Sequence, residues 1–251
     1  AREGLLASYD PPSAADIPTR LRGSGEKGKK RKTKENKLCW TGIGLRGRVL
    51  AYDPTRTTPD DLPRRWEEFA YPRWAPRVAL GNPMFGTTRG HVAAMLAMWG
   101  RERTRGFLVN LKDAGALVLD GNSSALRAVI DGRAEMCMTD TDDVWAAQRD
   151  GASVDFKYLD MGDGGTLWIP SSVALIEGGP NRANGELLVD YLVSEDVERM
   201  LAESRSRNVP VRAALRKSLG IDKVKISNVP YRDIASVMDE SAAMVREILL
   251  K

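Results

Sequence analysis

Between Arg77 and Tyr158, short apolar runs alternate with helix-patterned segments, an order that few folds accept. The runs Arg77 to Leu80, Ala116 to Leu119, Ala134 to Met138 and Val154 to Tyr158 have the length of strands. Between the first two, Val92, Met95, Leu96 and Trp99 fall at i, i+3, i+4 and i+7, the spacing of one helix face. A second helix covers Arg101 to Asp113 with Phe107, Leu108 and Leu111 inward. A third, capped by Ser123 or Ser124, carries Leu126, Val129 and Ile130 to an Asp131-Gly132 stop, and a fourth covers 143–149. This alternation predicts an α/β fold with a mixed, mainly parallel sheet covered on both faces.

The rest of the chain is more helical. Apolar spacing predicts helices over 183–193 (Leu187, Leu188, Tyr191 and Leu192 inward), 195–203, after Pro210, and 231–250. Arg48 to Tyr52, Leu167 to Ile169 and Val173 to Ile176 read as extended, and 59–76 as a proline-rich segment anchored by Trp66, Phe69 and Trp74. With 251 residues, 42% of them hydrophobic and 29% charged, the chain can bury one large core or two smaller ones. Its longest apolar run, Val92 to Trp99, is far short of the ~18 residues of a membrane span.

The formal charge of +4 is local in origin. Residues 26–37 hold Lys27, Lys29, Lys30, Arg31, Lys32, Lys34 and Lys37 against Glu26 and Glu35, a net +5 that leaves −1 for everything else. With no apolar position, 23–37 reads as a solvated basic loop, which argues against a nucleic-acid-binding face. Gly23 to Lys30 falls one residue short of a P-loop, because Lys30 stands where the magnesium-binding hydroxyl belongs. The chain's single histidine, His91, removes most histidine-based metal sites, and no nucleophile elbow or zinc motif is present. Cys39 and Cys137 lack metal-ligand spacing. Nothing in the residue pattern calls for an enzyme.

Polar residues gather at two strand-to-helix turns. Thr139-Asp140-Thr141-Asp142-Asp143 follows the 134–138 strand, at the strand ends where open α/β sheets bind ligands. Two readings stand: Asp140, Asp142 and Asp143 as ligands for a cation or amine, or an ordinary helix cap with acidic residues complementing the dipole. The loop Asn82 to Thr88 opens a helix in the same way, and Thr87 and Thr88 are either caps or anion donors. Together the two turns suit a cation with its companion anion, or a zwitterion. This reading expects the two corners to face one another.

Gly4-Leu5-Leu6, Tyr9-Asp10-Pro11-Pro12, Trp40 to Ile43, Arg46 with Val49 to Asp53, Tyr71 to Trp74, Pro83 to Thr88, and Pro170 with Val173 to Ile176 appear in an order that resembles the type II solute-binding proteins of bacterial ABC importers. The similarity is greatest to the ferric-iron-binding branch and covers nearly the whole chain apart from the basic loop. It implies a two-lobed type II periplasmic-binding fold closing on solute, with the first part of the amino-terminal lobe absent. The corresponding segments are 1–48 (partial amino-terminal lobe), 49–167 (carboxy-terminal lobe), 168–212 (return segment) and 213–251 (helices packing on the second lobe). It further implies a monomeric periplasmic or extracellular protein, free or lipid-anchored, that hands a cation such as Fe³⁺ or another small charged solute to a membrane permease.

In iron-binding members the acidic turn carries adjacent tyrosines; here Asp142 and Asp143 hold those places as metal-ligand candidates, beside Asp140 and Thr141 as solute contacts. Thr87 and Thr88 fall where that family holds an anion. Arg46, near the first crossing strand, is either a solute contact or an interlobe ion-pair partner, and Trp40 and Trp168 either line the cleft or belong to the core. The alternative function is an effector-sensing or nucleic-acid-associated regulator using the basic loop. A carboxylate-based hydrolase has no supporting motif.

Overall fold

The computed structural model describes residues 4–24, 38–74, 77–221 and 225–251, so most of the basic stretch, with the P-loop-like Gly25 to Lys30, lies outside the described residues. The chain divides into two compact units, residues 1–46 with 170–223, and 47–169 with 224–251.

The first unit begins with two single-turn 3-10 helices and β1 (Arg22–Ser24), paired antiparallel with the start of β2 (Leu38–Tyr52). The long strand β2 continues into the second unit, where α1 (Trp66–Phe69), β3 (Val78–Gly81), α2 (Gly86–Trp99), α3 (Arg101–Asp113) and β4 (Leu117–Leu119) follow. Next come α4 (Asn122–Ile130), β5 (Met136–Asp140), α5 (Thr141–Arg149) and β6 (Asp155–Tyr158). A second long strand, β7 (Trp168–Val173), returns the chain to the first unit, which holds α6 (Arg182–Leu192), α7 (Glu195–Glu203) and α8 (Ala213–Ser218). Finally α9 (Tyr231–Ser236) and α10 (Met238–Ile248) rejoin the second unit. No described helix is long and apolar enough to cross a membrane.

The second unit's sheet has the order β4-β3-β5-β2-β6. β3 is parallel to β4 and β5, while β2 runs antiparallel to β5 and β6, so β2 is the one reversed strand. Side chains alternate between two cores. Leu50, Val78, Leu80, Met136 and Met138 join Val92, Met95, Leu108 and Val245 of α2, α3 and α10. On the opposite face Val49, Ala51, Ala79 and Cys137 meet Leu126, Val129 and Val144 of α4 and α5. Covering on both faces is why these strands read as unbroken apolar runs.

Three differences from the sequence reading have local causes. The helix expected over 231–250 is broken at Val237, so that α9 packs on α2 and α10 on α2 and α3. Arg89–Asp239 (3.1 Å), Arg101–Glu240 (2.6 Å) and Arg105–Glu247 (3.3 Å) then fasten α10 across those helices. Secondly, residues 213–221 fall in the first unit rather than with the final helices. Leu215 is buried there, and Arg216 Nη1 donates to the carbonyls of Pro210 and Val211, next to the Leu45–Val209 bridge.

Thirdly, α6 is turned about its axis. Leu187, Leu188 and Tyr191, expected inward, are 69%, 56% and 56% exposed, while Val189 is buried. Polar contacts set this rotation: Tyr9 donates to Asp190 (2.5 Å), Arg182 donates to the Ser8 carbonyl (3.0 Å), and Gly185 lies against Leu175. Arg182, Gly185, Val189 and Asp190 are i, i+3, i+7 and i+8, one face of the helix, with Val189 buried at its middle. The hydroxyl of Tyr9, donating to a carboxylate, has its pKa pushed up to about 12.

Candidate functional site

Because β3 and β5 are parallel neighbours, their carboxyl ends share one edge of the sheet, where α2 and α5 begin. α4 starts at the same edge. A Cβ on Gly81, at the end of β3, would lie 2.8 Å from Gly121 C and 2.9 Å from Asn122 N, so glycine is what allows the backbone of α4 to approach β3 so closely. The antiparallel register of β2 with β5 sets Arg48 directly opposite Asp140.

The two turns predicted to face one another are in direct contact, and both belong to the second unit. Thr87 Oγ1 donates to Asp140 Oδ2 (2.6 Å), as does Asn122 Nδ2 (2.9 Å), and Arg48 Nη1 donates to Asp140 Oδ1 (2.7 Å). Arg48 reaches Thr87 Oγ1 (3.0 Å) and Thr88 Oγ1 (3.3 Å) as well, and Thr88 donates to Asn122 Oδ1 (3.0 Å). Arg48 is 0% and Asp140 1% exposed, so this ion pair lies wholly inside the protein.

His91, one turn along α2 from the threonines, completes the enclosure. Arg48 Nε donates to His91 Nδ1 (3.2 Å), which places the ring proton on Nε2, 3.2 Å from Met161 Sδ. The ring meets Trp66 edge-on at 4.5 Å. Burial, reinforced by the Arg48 charge, holds the pKa of His91 well below its ordinary value, so the imidazole is neutral.

The acidic turn is also a capping box. Asp140 accepts from the third backbone N–H of α5, and Asp143 Oδ2 accepts from Asp140 N (3.4 Å) and Thr139 Oγ1 (2.8 Å). Thr141 Oγ1 accepts from Gly47 N (3.1 Å). One carboxylate oxygen from each of Asp140, Asp142 and Asp143 lies within 4.8 Å of the others, with Asp140 buried and the other two half-buried. Both oxygens of Asp140 are committed to protein donors, and Asp143 Oδ2 is committed to the capping box. Arg46 donates to Ser171 Oγ (3.1 Å), and both residues belong to the first unit.

Beside the acidic turn runs a line of rings, Trp145–Phe156 (5.7 Å), Phe156–Tyr158 (5.2 Å) and Tyr158–Trp168 (5.9 Å). Trp168 closes over Gly47, where a Cβ would meet its ring at 3.1 Å and the Thr141 methyl at 3.3 Å. Trp168 is 1% exposed. Burial raises the pKa of Tyr158 to about 12, so its hydroxyl is protonated at neutral pH. Cys137 is a core thiol whose pKa burial pushes up, and no disulfide joins it to Cys39.

The cluster thus joins Thr87, Thr88 and Asp140, which sequence reading singled out, with Arg48 and Asn122, which it passed over. In the sequence Arg48 is marked only as a charge directly before the apolar run Val49-Leu50-Ala51-Tyr52, inside β2 rather than at its start.

A family model described as bacterial extracellular solute-binding protein matches residues 1–234. Iron uptake protein A2 of Synechocystis sp. is 27% identical over 221 residues, 80% of this chain and 64% of that protein. The chain thus spans less than two thirds of that relative. Among solved structures, iron-bound HitA from Pseudomonas aeruginosa superposes with a TM-score of 0.78 at 23% identity, covering 98% of this chain and 77% of that one. AfuA from Actinobacillus pleuropneumoniae, solved with exogenous fructose-6-phosphate, gives 0.76 at 14% identity over 99% of this chain and 77% of that one. These likenesses show the fold, that of the type II periplasmic binding proteins. The same fold carries both an iron-bound protein and one bound to a sugar phosphate, so it does not by itself choose a solute.

Proposed function

Because the chain belongs to the family of bacterial extracellular solute-binding proteins, we propose that it is the solute-capturing component of an ABC importer, working outside the cytoplasmic membrane and passing a hard cation, Fe³⁺ foremost, to a membrane permease. The carrying observation is the acidic turn: Asp142 and Asp143 offer half-buried carboxylates within 4.8 Å of Asp140, whose own charge is matched by Arg48. Three carboxylates and one guanidinium leave the turn two charges negative. Hard oxygen donors of this kind suit Fe³⁺ over softer metals. The names of relatives such as iron uptake protein A2 point the same way. No observation favours the regulatory alternative built on the basic stretch.

Binding is the whole task of such a site, and affinity comes from a few oriented polar groups. Ferric nitrilotriacetate should raise the melting temperature of the protein and leave iron bound to it after gel filtration. Replacing both Asp142 and Asp143 with asparagine should abolish both signals. Undiminished ferric binding in that double variant would remove these residues from the site.

A further inference from the structure

We propose that Asp140 is the built-in occupant of an anion pocket, so that the Arg48 cluster takes no free oxyanion beside the solute. Its surroundings are those of a bound anion. Thr87 from the first turn of α2, Asn122 from the first residue of α4, the backbone at the start of α5 and the guanidinium of Arg48 all donate to this one carboxylate. The positive ends of three helices and a buried cation thus converge on it, a combination that draws phosphate or carboxylate ligands.

Each of the named donors already has a partner within the protein. Arg48 Nε is spent on His91, Arg48 Nη2 on Thr88, and the Thr88 hydroxyl on Asn122. With Arg48 at 0% exposure, the cation needs a partner inside the protein, and Asp140 supplies it permanently. Thr87 is therefore an anion donor whose anion is a side chain, while Thr88 holds Asn122, a second donor to the same carboxylate. The inference concerns this cluster alone and holds whatever the solute, so its failure would leave the ferric reading standing.

The test is chemical rescue. Asp140→Ala removes the carboxylate and leaves space the size of formate beside an uncompensated Arg48. Formate or inorganic phosphate, compared with chloride at equal ionic strength, should raise the melting temperature of this variant by about 5–10 °C at one hundred times its Kd. Asp140→Asn, which fills the space without charge, should gain far less from formate. The wild type should show no saturable binding of either anion. An Asp140→Ala protein that gains nothing from formate or phosphate, in stability or in yield of folded protein, overturns the proposal. So does saturable phosphate binding by the wild type that Thr87→Val removes.

Discussion

Arg48 and Asp140 form a buried ion pair, and such a pair persists only where further hydrogen bonds satisfy both partners. His91 is one of those partners, accepting from Arg48 through Nδ1. Its neutrality has a consequence that can be measured. The unfolded chain takes up a proton near pH 6.5, whereas the folded protein holds the pKa of His91 well below that value. The folded pKa being depressed, stability is full above pH 6.5 and declines as pH falls below it, until the folded value is reached. Between pH 7.5 and 5.5 the expected loss is about 1.4 kcal/mol in urea unfolding. As the chain has no other histidine, His91→Gln should flatten that interval. An unchanged slope in the variant would assign the effect to other groups. At this scale, Thr87, Thr88 and the aspartates were legible because polar residues at strand-to-helix turns carry a local signal. Arg48 was not, since its meaning depends on the register of β2 against β5, which no local pattern encodes.

At the scale of single elements, α6 shows how periodicity finds a helix without finding its inner face. Leu187, Leu188 and Tyr191 and the inward set with Gly185, Val189 and Asp190 both have helical spacing. Tyr9 and Ser8, distant in sequence, decide between them by binding Asp190 and Arg182. Serine at Leu187 or Tyr191 should accordingly change stability by no more than about 0.5 kcal/mol each. Val189→Ala should cost about 2 kcal/mol through lost burial and a residual cavity. Chemical denaturation of the three variants checks this, and the opposite ranking would mean that Leu187 and Tyr191 are covered in solution. By contrast α7 is found where its spacing placed it, over 195–203, with Ser194 Oγ accepting from Val197 N (3.4 Å) at its start. An acidic first turn and a side-chain cap mark that helix without distant help.

For the whole molecule, the alternation of strands and helices was enough to reveal the α/β class, because only covered sheets accommodate it. The partition into units was harder to read. Segment ends expected after 48, 167 and 212 compare with changes of unit after 46, 169 and 223, and the first two of these fall inside the long strands β2 and β7, where hydrophobic pattern gives no mark. Each unit has a buried arginine of its own. In the first, Arg212 donates to Glu198 (2.5 Å), to Asp16 (2.8 Å) and to the carbonyls of Ser13 and Val193. Glu198 is 2% exposed, so Arg212→Met would leave it buried and unpaired, at a cost of about 3–5 kcal/mol. Arg48→Met should do comparable damage to Asp140 in the second unit. Since the partners named for each arginine lie in its own unit, the two losses should fall on different amides in native-state hydrogen exchange. Arg212→Met should lower protection in α6, α7 and α8 and spare β3 and β5, while Arg48→Met should do the reverse. The double variant should show the sum of the two effects. Uniform loss of protection across both units in either single variant would instead mean that the chain opens as one cooperative body.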